Sequence, residues 1–93
     1  MRLIQRAYEK QAEKFFAKHE DIKQEFISCI KQLFRNDHPE QVNNKRLKGK
    51  YKGYSRIAIG SYRIIYKVIN GDIIIVSVVA AGSRGDVYKH LHL

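Results

Sequence analysis

The chain has 93 residues, 44% of them hydrophobic and 29% charged, which fits one folded domain spanning 1–93 and excludes a disordered tail. No stretch reaches the ~18 uninterrupted apolar residues of a membrane span, and the N-terminal MRLIQRAYEK has no apolar signal-peptide core, so the reading is a cytoplasmic protein with no membrane partner. The formal net charge of +9 is lopsided: residues 1–40 carry eight basic against seven acidic side chains, and residues 41–93 carry ten against two.

Residues 2–5 form a short run that suits an edge strand. From Tyr8, the residues Tyr8, Ala12, Phe15, Phe16 and His19 recur at steps of three and four, one stripe of an amphipathic helix with Glu9, Lys10, Glu13 and Lys14 outside it. Asp21 is placed to start a second helix whose stripe is Ile22, Phe26, Cys29, Ile30, Leu33 and Phe34, and Asn36, Asp37 and Pro39 end it. The lone Cys29 has no disulfide partner and no neighbouring ligand, so on that stripe it reads as a small core hydrophobe.

After Pro39 the period changes. NNKRLKGKYKG is a loop or an extended arm, followed by three strand-like runs, YSRIAI (54–59), YRIIYKVI (62–69) and DIIIVSVVAA (72–81). Gly60-Ser61 and Asn70-Gly71 separate them, and Asn-Gly between β-branched runs is the strongest short hairpin signal, so a three-stranded antiparallel meander is predicted. Alternation puts Tyr62, Ile64, Tyr66 and Val68 on one face and Arg63, Ile65, Lys67 and Ile69 on the other. The tail GSRGDVYKHL leaves the last strand, and Val87 to Leu91 suit a closing helical turn. The fold class is α+β: a short strand and a helical hairpin packed on one face of a small antiparallel sheet, with a short C-terminal helix.

Between Gln41 and Gly71 there is no carboxylate, whereas Lys45, Arg46, Lys48, Lys50, Lys52, Arg56, Arg63 and Lys67 all fall there. A one-sided positive field attracts a polyanion, and nucleic acid is the commonest in a cell. No Ser-His-Asp set, phosphate-binding glycine loop or zinc spacing is present, and no cofactor or metal is implied. His90 and His92 form a His-x-His pair without further ligands and read as a fraying tail. Asp72 and Asp86 are the only acids of the second half, which disfavours two-carboxylate hydrolysis. The Arg84-Gly85-Asp86 tripeptide also spells an adhesion motif, a ligand that works outside cells and does not suit a cytoplasmic chain.

What remains is a cluster of cations with a tyrosine, and that kit suits phosphodiester chemistry on RNA. The 2′-hydroxyl supplies the nucleophile, so the protein has to align the attack, stabilise phosphoryl charge and assist proton transfer. Arginine grips two phosphate oxygens in its planar fork and stays charged, while tyrosine stacks on a base or exchanges a proton. Singly, Arg63 also fits a solvent-facing strand residue and Tyr88 a ring that plugs the end of the sheet. Tyr51 and Tyr54, in the basic loop, are further RNA contacts on this reading.

The segment RLKGKYKGYSRIAIGSYRIIYKVINGDIIIVSVVAAGSRGDVY resembles the RelE/ParE superfamily of type II toxins. The Lys-Gly turn of RLKGKYKG, the GSYRIIYKV strand and the GSRGDVY close carry the likeness, and the preceding strand and hairpin fit the same fold. The resemblance implies a ribosome-dependent mRNA endonuclease that leaves a 2′,3′-cyclic phosphate, with a separate antitoxin protein as partner, and the one-sided charge puts messenger RNA and ribosomal RNA on Lys45, Arg46, Lys48, Lys50, Lys52 and Lys67. The resemblance also implies that Arg63 stabilises the transition state, that Arg84 sits near the leaving 5′-oxygen, that Tyr88 orients or activates the reacting group and that Arg56 assists proton transfer. A second basic position of the family is Ala58 here and a common histidine is Ser83. Base capacity is thereby reduced, since an arginine rarely gives up its proton. A gyrase poison of the ParE kind, or an inactive relative that only binds antitoxin, are the alternatives.

Overall fold

The computed structural model describes residues 3–91. Strand β1 (Ile4–Tyr8) leads into helices α1 (Lys10–Lys18) and α2 (Glu20–Phe34), and the remaining strands are β2 (Asn44–Arg46), β3 (Ser55–Ile59), β4 (Tyr62–Ile69) and β5 (Ile74–Ser83). Three short 3₁₀ turns, Pro39–Gln41, Gly49–Tyr51 and Val87–His90, complete the chain. The five strands form one mixed sheet in the order β1-β5-β4-β3-β2, with β1 parallel to β5 and every other pairing antiparallel.

The two helices pack on one face of this sheet, as the apolar stripes require. Ala12 and Phe16 of α1 and Phe26 and Ile30 of α2 are buried against Ile57, Ile64, Val76, Val78 and Ala81. Each of the phenylalanine, isoleucine and valine side chains contributes roughly 1.5 to 3 kcal/mol on burial. His19 alone joins the helices, with φ of −135° and ψ of 63° outside the helical range, and Glu20 and Asp21 sit at the favourable N-terminus of α2.

The structure departs from the sequence reading in several places, and first in the sheet, which is mixed rather than antiparallel because β1 joins β5 in parallel. Tyr8 is the last residue of β1 rather than the head of α1; its ring meets Phe16 edge-on at 5.6 Å, so strand and helix share one buried layer and mimic a continuous helical stripe. The edge strand begins at Ile4, and Arg2 lies outside the described residues. The basic arm contains β2, whose three residues are all exposed. It is a strand because of its ladder with β3, reinforced by the Tyr66 hydroxyl on the Asn44 side chain, and such an element leaves no apolar period to read. Finally, Asn70-Gly71 does not make a two-residue turn: Ile69 pairs with Ile75, and Gly71 is not among the glycines of positive φ. The tight reversal is at Gly60-Ser61, where Ile59 pairs with Tyr62 and Gly60 takes φ of 59°.

Two features shape β5. Ile65 pairs with Ala80 and Tyr66 with Val78, so Val79 is an extra residue that bulges the strand next to the last stretch of the ladder. Beyond Val78, β1 has ended and the edge of β5 is covered by a side chain instead. The Gln11 amide donates to the Ala81 carbonyl at 2.7 Å and accepts from the Ala81 N–H at 2.9 Å.

Candidate active site

The face of the sheet away from the helices carries a small second core. Ile65, Ala80 and Val87 are fully buried there, with Leu47, Tyr54, Val79, Tyr88 and Leu91 packed around them. The tail builds this core by turning back: Val87 closes on Ile65 and Ala80, and the Val87–His90 turn lies across β5. Asp86 fastens the turn, accepting from Ser83 Oγ at 3.1 Å and from Lys89 Nζ at 3.3 Å. Those bonds, Lys89 first and Ser83 second, hold its carboxyl below the usual carboxylate range. The Asp86 of the tripeptide thus points into its own tail.

Around this apolar patch stand the cations. Arg63 on β4 lies opposite Ala58 on β3 and Gly82 on β5. Its Nη1 donates to the Gly60 carbonyl at 3.0 Å and to the Tyr62 carbonyl at 2.9 Å, and among the described residues the rest of the fork makes no further bond. The Arg84 N–H donates to the Ser61 carbonyl at 3.0 Å, so the Gly60-Ser61 turn holds both arginines at one end of the sheet. Arg84 itself is exposed. One strand over, Arg56 faces the same side across from Lys45 and Ile65. Its Nη1 donates to the Asn43 side-chain oxygen at 2.9 Å and to the Asn43 carbonyl at 3.2 Å.

Tyr88 is half-buried, its ring 5.2 Å from that of Tyr51, which in turn lies under Lys50 Nζ at 5.1 Å. Lys67 Nζ stands 5.9 Å over the Tyr54 ring. Tyr88 therefore connects the tail to the basic arm, and Tyr51 and Tyr54 do more packing than their place in a loop suggests. Their only signal in the sequence is that Leu47, Tyr51 and Tyr54 are apolar rings and branches in a basic segment, which need something to cover them.

The arm is not one patch. Lys45 shares the open face with Arg56, whereas Arg46, opposite Ser55, alternates to the other side. Arg46, Lys48 and Lys52, with Leu47, Tyr54 and Asn70, line a cleft of about 600 Å³ beside the sheet. Gly49 and Gly53 shape it with φ of 66° and 97°, a conformation for which glycine is the natural residue. On the helix side, Tyr66 is buried and donates to Asn44 Oδ1 at 2.5 Å, and Tyr62 packs on Phe15 at 5.3 Å, so both serve the core. Cys29 is half-buried against that core, and burial, with Glu25 nearby, pushes its thiol up. His38 is exposed beside Glu40, and His92 lies outside the described residues. Among the described residues no group of three or more His, Cys, Asp or Glu is arranged to hold a metal, and no helix is long and apolar enough to cross a membrane.

A family model described as the ParE toxin of the type II toxin–antitoxin system, parDE, matches residues 4–88. The chain belongs to that toxin family. A chain of the RelB–RelE antitoxin–toxin complex from Methanococcus jannaschii is 26% identical, with a TM-score of 0.58 over 92% of this toxin and 99% of that chain. The YoeB/ParE toxin from Agrobacterium tumefaciens is 16% identical with a TM-score of 0.61, covering 86% of this chain and 98% of its own. YafQ from E. coli strain BL21(DE3) is 19% identical with a TM-score of 0.59, covering 91% and 96%. The last two share the fold, two helices on one face of a mixed five-stranded sheet. No curated protein sequence matches the toxin significantly.

Proposed function

We propose that this type II toxin is an endoribonuclease that cleaves messenger RNA on the ribosome, by attack of a 2′-hydroxyl on the adjacent phosphate. The observation that carries the reading is the pairing of Arg63 and Arg84 at the Gly60-Ser61 turn, beside a second small core on the open face and with no carboxylate from Gln41 to Gly71. Two arginines brought together by their backbone at one turn, beside a stretch of chain without a carboxylate, suit a phosphoryl group whose charge grows in the transition state. In this reading Arg63 and Arg84 hold the phosphate, Tyr88 orients the reacting nucleotide, Arg56 supports the charge from β3, and Lys45, Arg46, Lys48, Lys50, Lys52 and Lys67 bind the RNA backbone. The whole chain acts as one toxin domain in the cytoplasm, where message and ribosome meet. A chain of an antitoxin–toxin complex is among its structural neighbours. That supports a cognate antitoxin that covers the same face.

Primer extension on a reporter message after brief induction tests this. Translation-dependent cuts should appear with the wild type and fall by ~10²-fold or more with Arg63→Ala, the usual loss when one group that stabilises transition-state charge is removed. Growth arrest with intact message would favour the second reading, a gyrase poison without nuclease activity, which has in its support that the matching family model is the ParE one.

A further inference from the structure

We infer that the cleft beside the basic arm is a second RNA site, which takes one unpaired nucleotide from an RNA chain other than the one being cut; its part in cleavage rests on the nuclease reading above. Arg46, Lys48 and Lys52 share a space of about 600 Å³ that no carboxylate among the described residues lines. None of the three makes an ion pair among the described residues, whereas Lys50 and Lys67 rest over the rings of Tyr51 and Tyr54. Like charges brought together without a partner repel one another, and an anion in their midst relieves that repulsion.

The rest of the lining narrows the class of anion. Leu47, Tyr54 and Val68 give the cleft apolar and aromatic surface, while Ser55 and Asn70 add a hydroxyl and an amide. A bare phosphate has no use for the apolar wall. A nucleotide uses every part: the cations for its phosphate, the apolar surface for the face of its base, and the amide for the base edge. Unpaired RNA is recognised in this manner, with a base splayed out of its strand onto side chains. The volume also falls within the ~300 to 1,000 Å³ of pockets that hold small organic ligands.

The place of the cleft in the fold separates this nucleotide from the scissile one. Arg63 lies near the start of β4 and Asn70 follows its last residue, ~23 Å away along the strand. Arg46, Ser55 and Val68 belong to the helix side of the sheet, whereas Arg63, opposite Ala58, faces away from it. A message held at Arg63 and Arg84 would have to pass round the end of the sheet to reach the cleft, while a neighbouring RNA chain of the ribosome meets it directly. The cleft therefore serves docking and not the chemical step.

The test has two arms. In the first, adenosine 5′-monophosphate is titrated into isotope-labelled wild-type toxin and followed by nuclear magnetic resonance. Amide signals should move at Leu47, Ser55 and Asn70 and stay in place at Arg63 and Arg84, and inorganic phosphate should bind at least ~10-fold more weakly, since it lacks the base. Equal binding of inorganic phosphate would make the cleft a plain anion site, and tighter binding of an oligoglutamate peptide would give it to a protein partner; either overturns the assignment. In the second arm Asn70→Trp fills the cleft and leaves every cation in place. In single-turnover cleavage of a message programmed into ribosomes, it should raise the half-saturating toxin concentration by roughly tenfold, about the worth of one stacked base, with the rate at saturation unchanged. A lower rate at saturation with the same half-saturation would put the cleft in the chemical step, and a variant that behaves as wild type would leave it idle; either outcome overturns the docking role. The titration needs no cleavage, so a wild type that binds the nucleotide but cuts no message would sink the nuclease reading and leave the nucleotide site standing.

Discussion

Tyr66 illustrates how one side chain couples the site to stability. It lies in the middle of β4 on the helix side, 3% exposed, and its hydroxyl donates to Asn44 Oδ1 at the start of β2. Burial is the largest influence on it and pushes its phenol from 10.0 up to about 12. A raised phenol pKa means that the neutral form is favoured by the fold. The stability it contributes is complete below pH ~10 and is lost as the pH climbs through the folded value, on the order of 2 kcal/mol between those limits. Denaturant titrations at pH 9 and pH 11.5 should therefore show a loss that is smaller in Tyr66→Phe; an equal loss would place the alkaline sensitivity elsewhere. The same residue was readable from the sequence as a core aromatic, because it alternates with Ile64 and Val68. Its anchoring of β2 was not, because Asn44 lies more than twenty positions away in a segment without pattern.

At the scale of elements, the end of β5 is the critical piece, since it carries Gly82, Ser83 and Arg84 into the site. Its edge at Ala81 is completed by Gln11, an α1 side chain standing in for the next strand. Gln11→Ala removes both partners from a residue with no solvent exposure. A cost of about 1 to 3 kcal/mol is expected. A chemical-denaturation midpoint checks it, and hydrogen exchange should rise first at Ala81. The helices and the meander were legible because their periods of 3.6 and 2 come from burial on one side. The basic arm had no such period, and its strand, its two positive-φ glycines and its cleft follow from contacts with β3, β4 and the tail.

For the whole molecule, the distribution of charge over two sides of the sheet sets how the toxin meets a polyanion. Lys48, Lys50 and Lys52 belong to the arm, with Lys48 and Lys52 lining its cleft while Lys50 stands over Tyr51 on the way to Tyr88. For every phosphate that a protein no longer neutralises, the slope of log affinity against log salt becomes shallower by ~0.7 on single strands. Replacing all three lysines by alanine should flatten that slope by about 2 in an anisotropy titration with single-stranded RNA, with the fold unchanged by circular dichroism. An unaltered slope would remove the arm from the RNA path.

The amino-acid sequence by itself determined the layers of this toxin, because the alternation of apolar residues dictates which side of each element leaves water. It also determined the sign of the surface and the residue types available for chemistry, since both are properties of composition. Only the tertiary structure decided which of those residues meet. Arg63 and Arg84 come together through the Gly60-Ser61 turn, Tyr88 finds Tyr51 of the arm, and His90 lies over Gly82 rather than trailing in solvent. Such meetings depend on where the chain reverses and on which backbone groups remain unpaired, and neither quantity is local to the residues concerned.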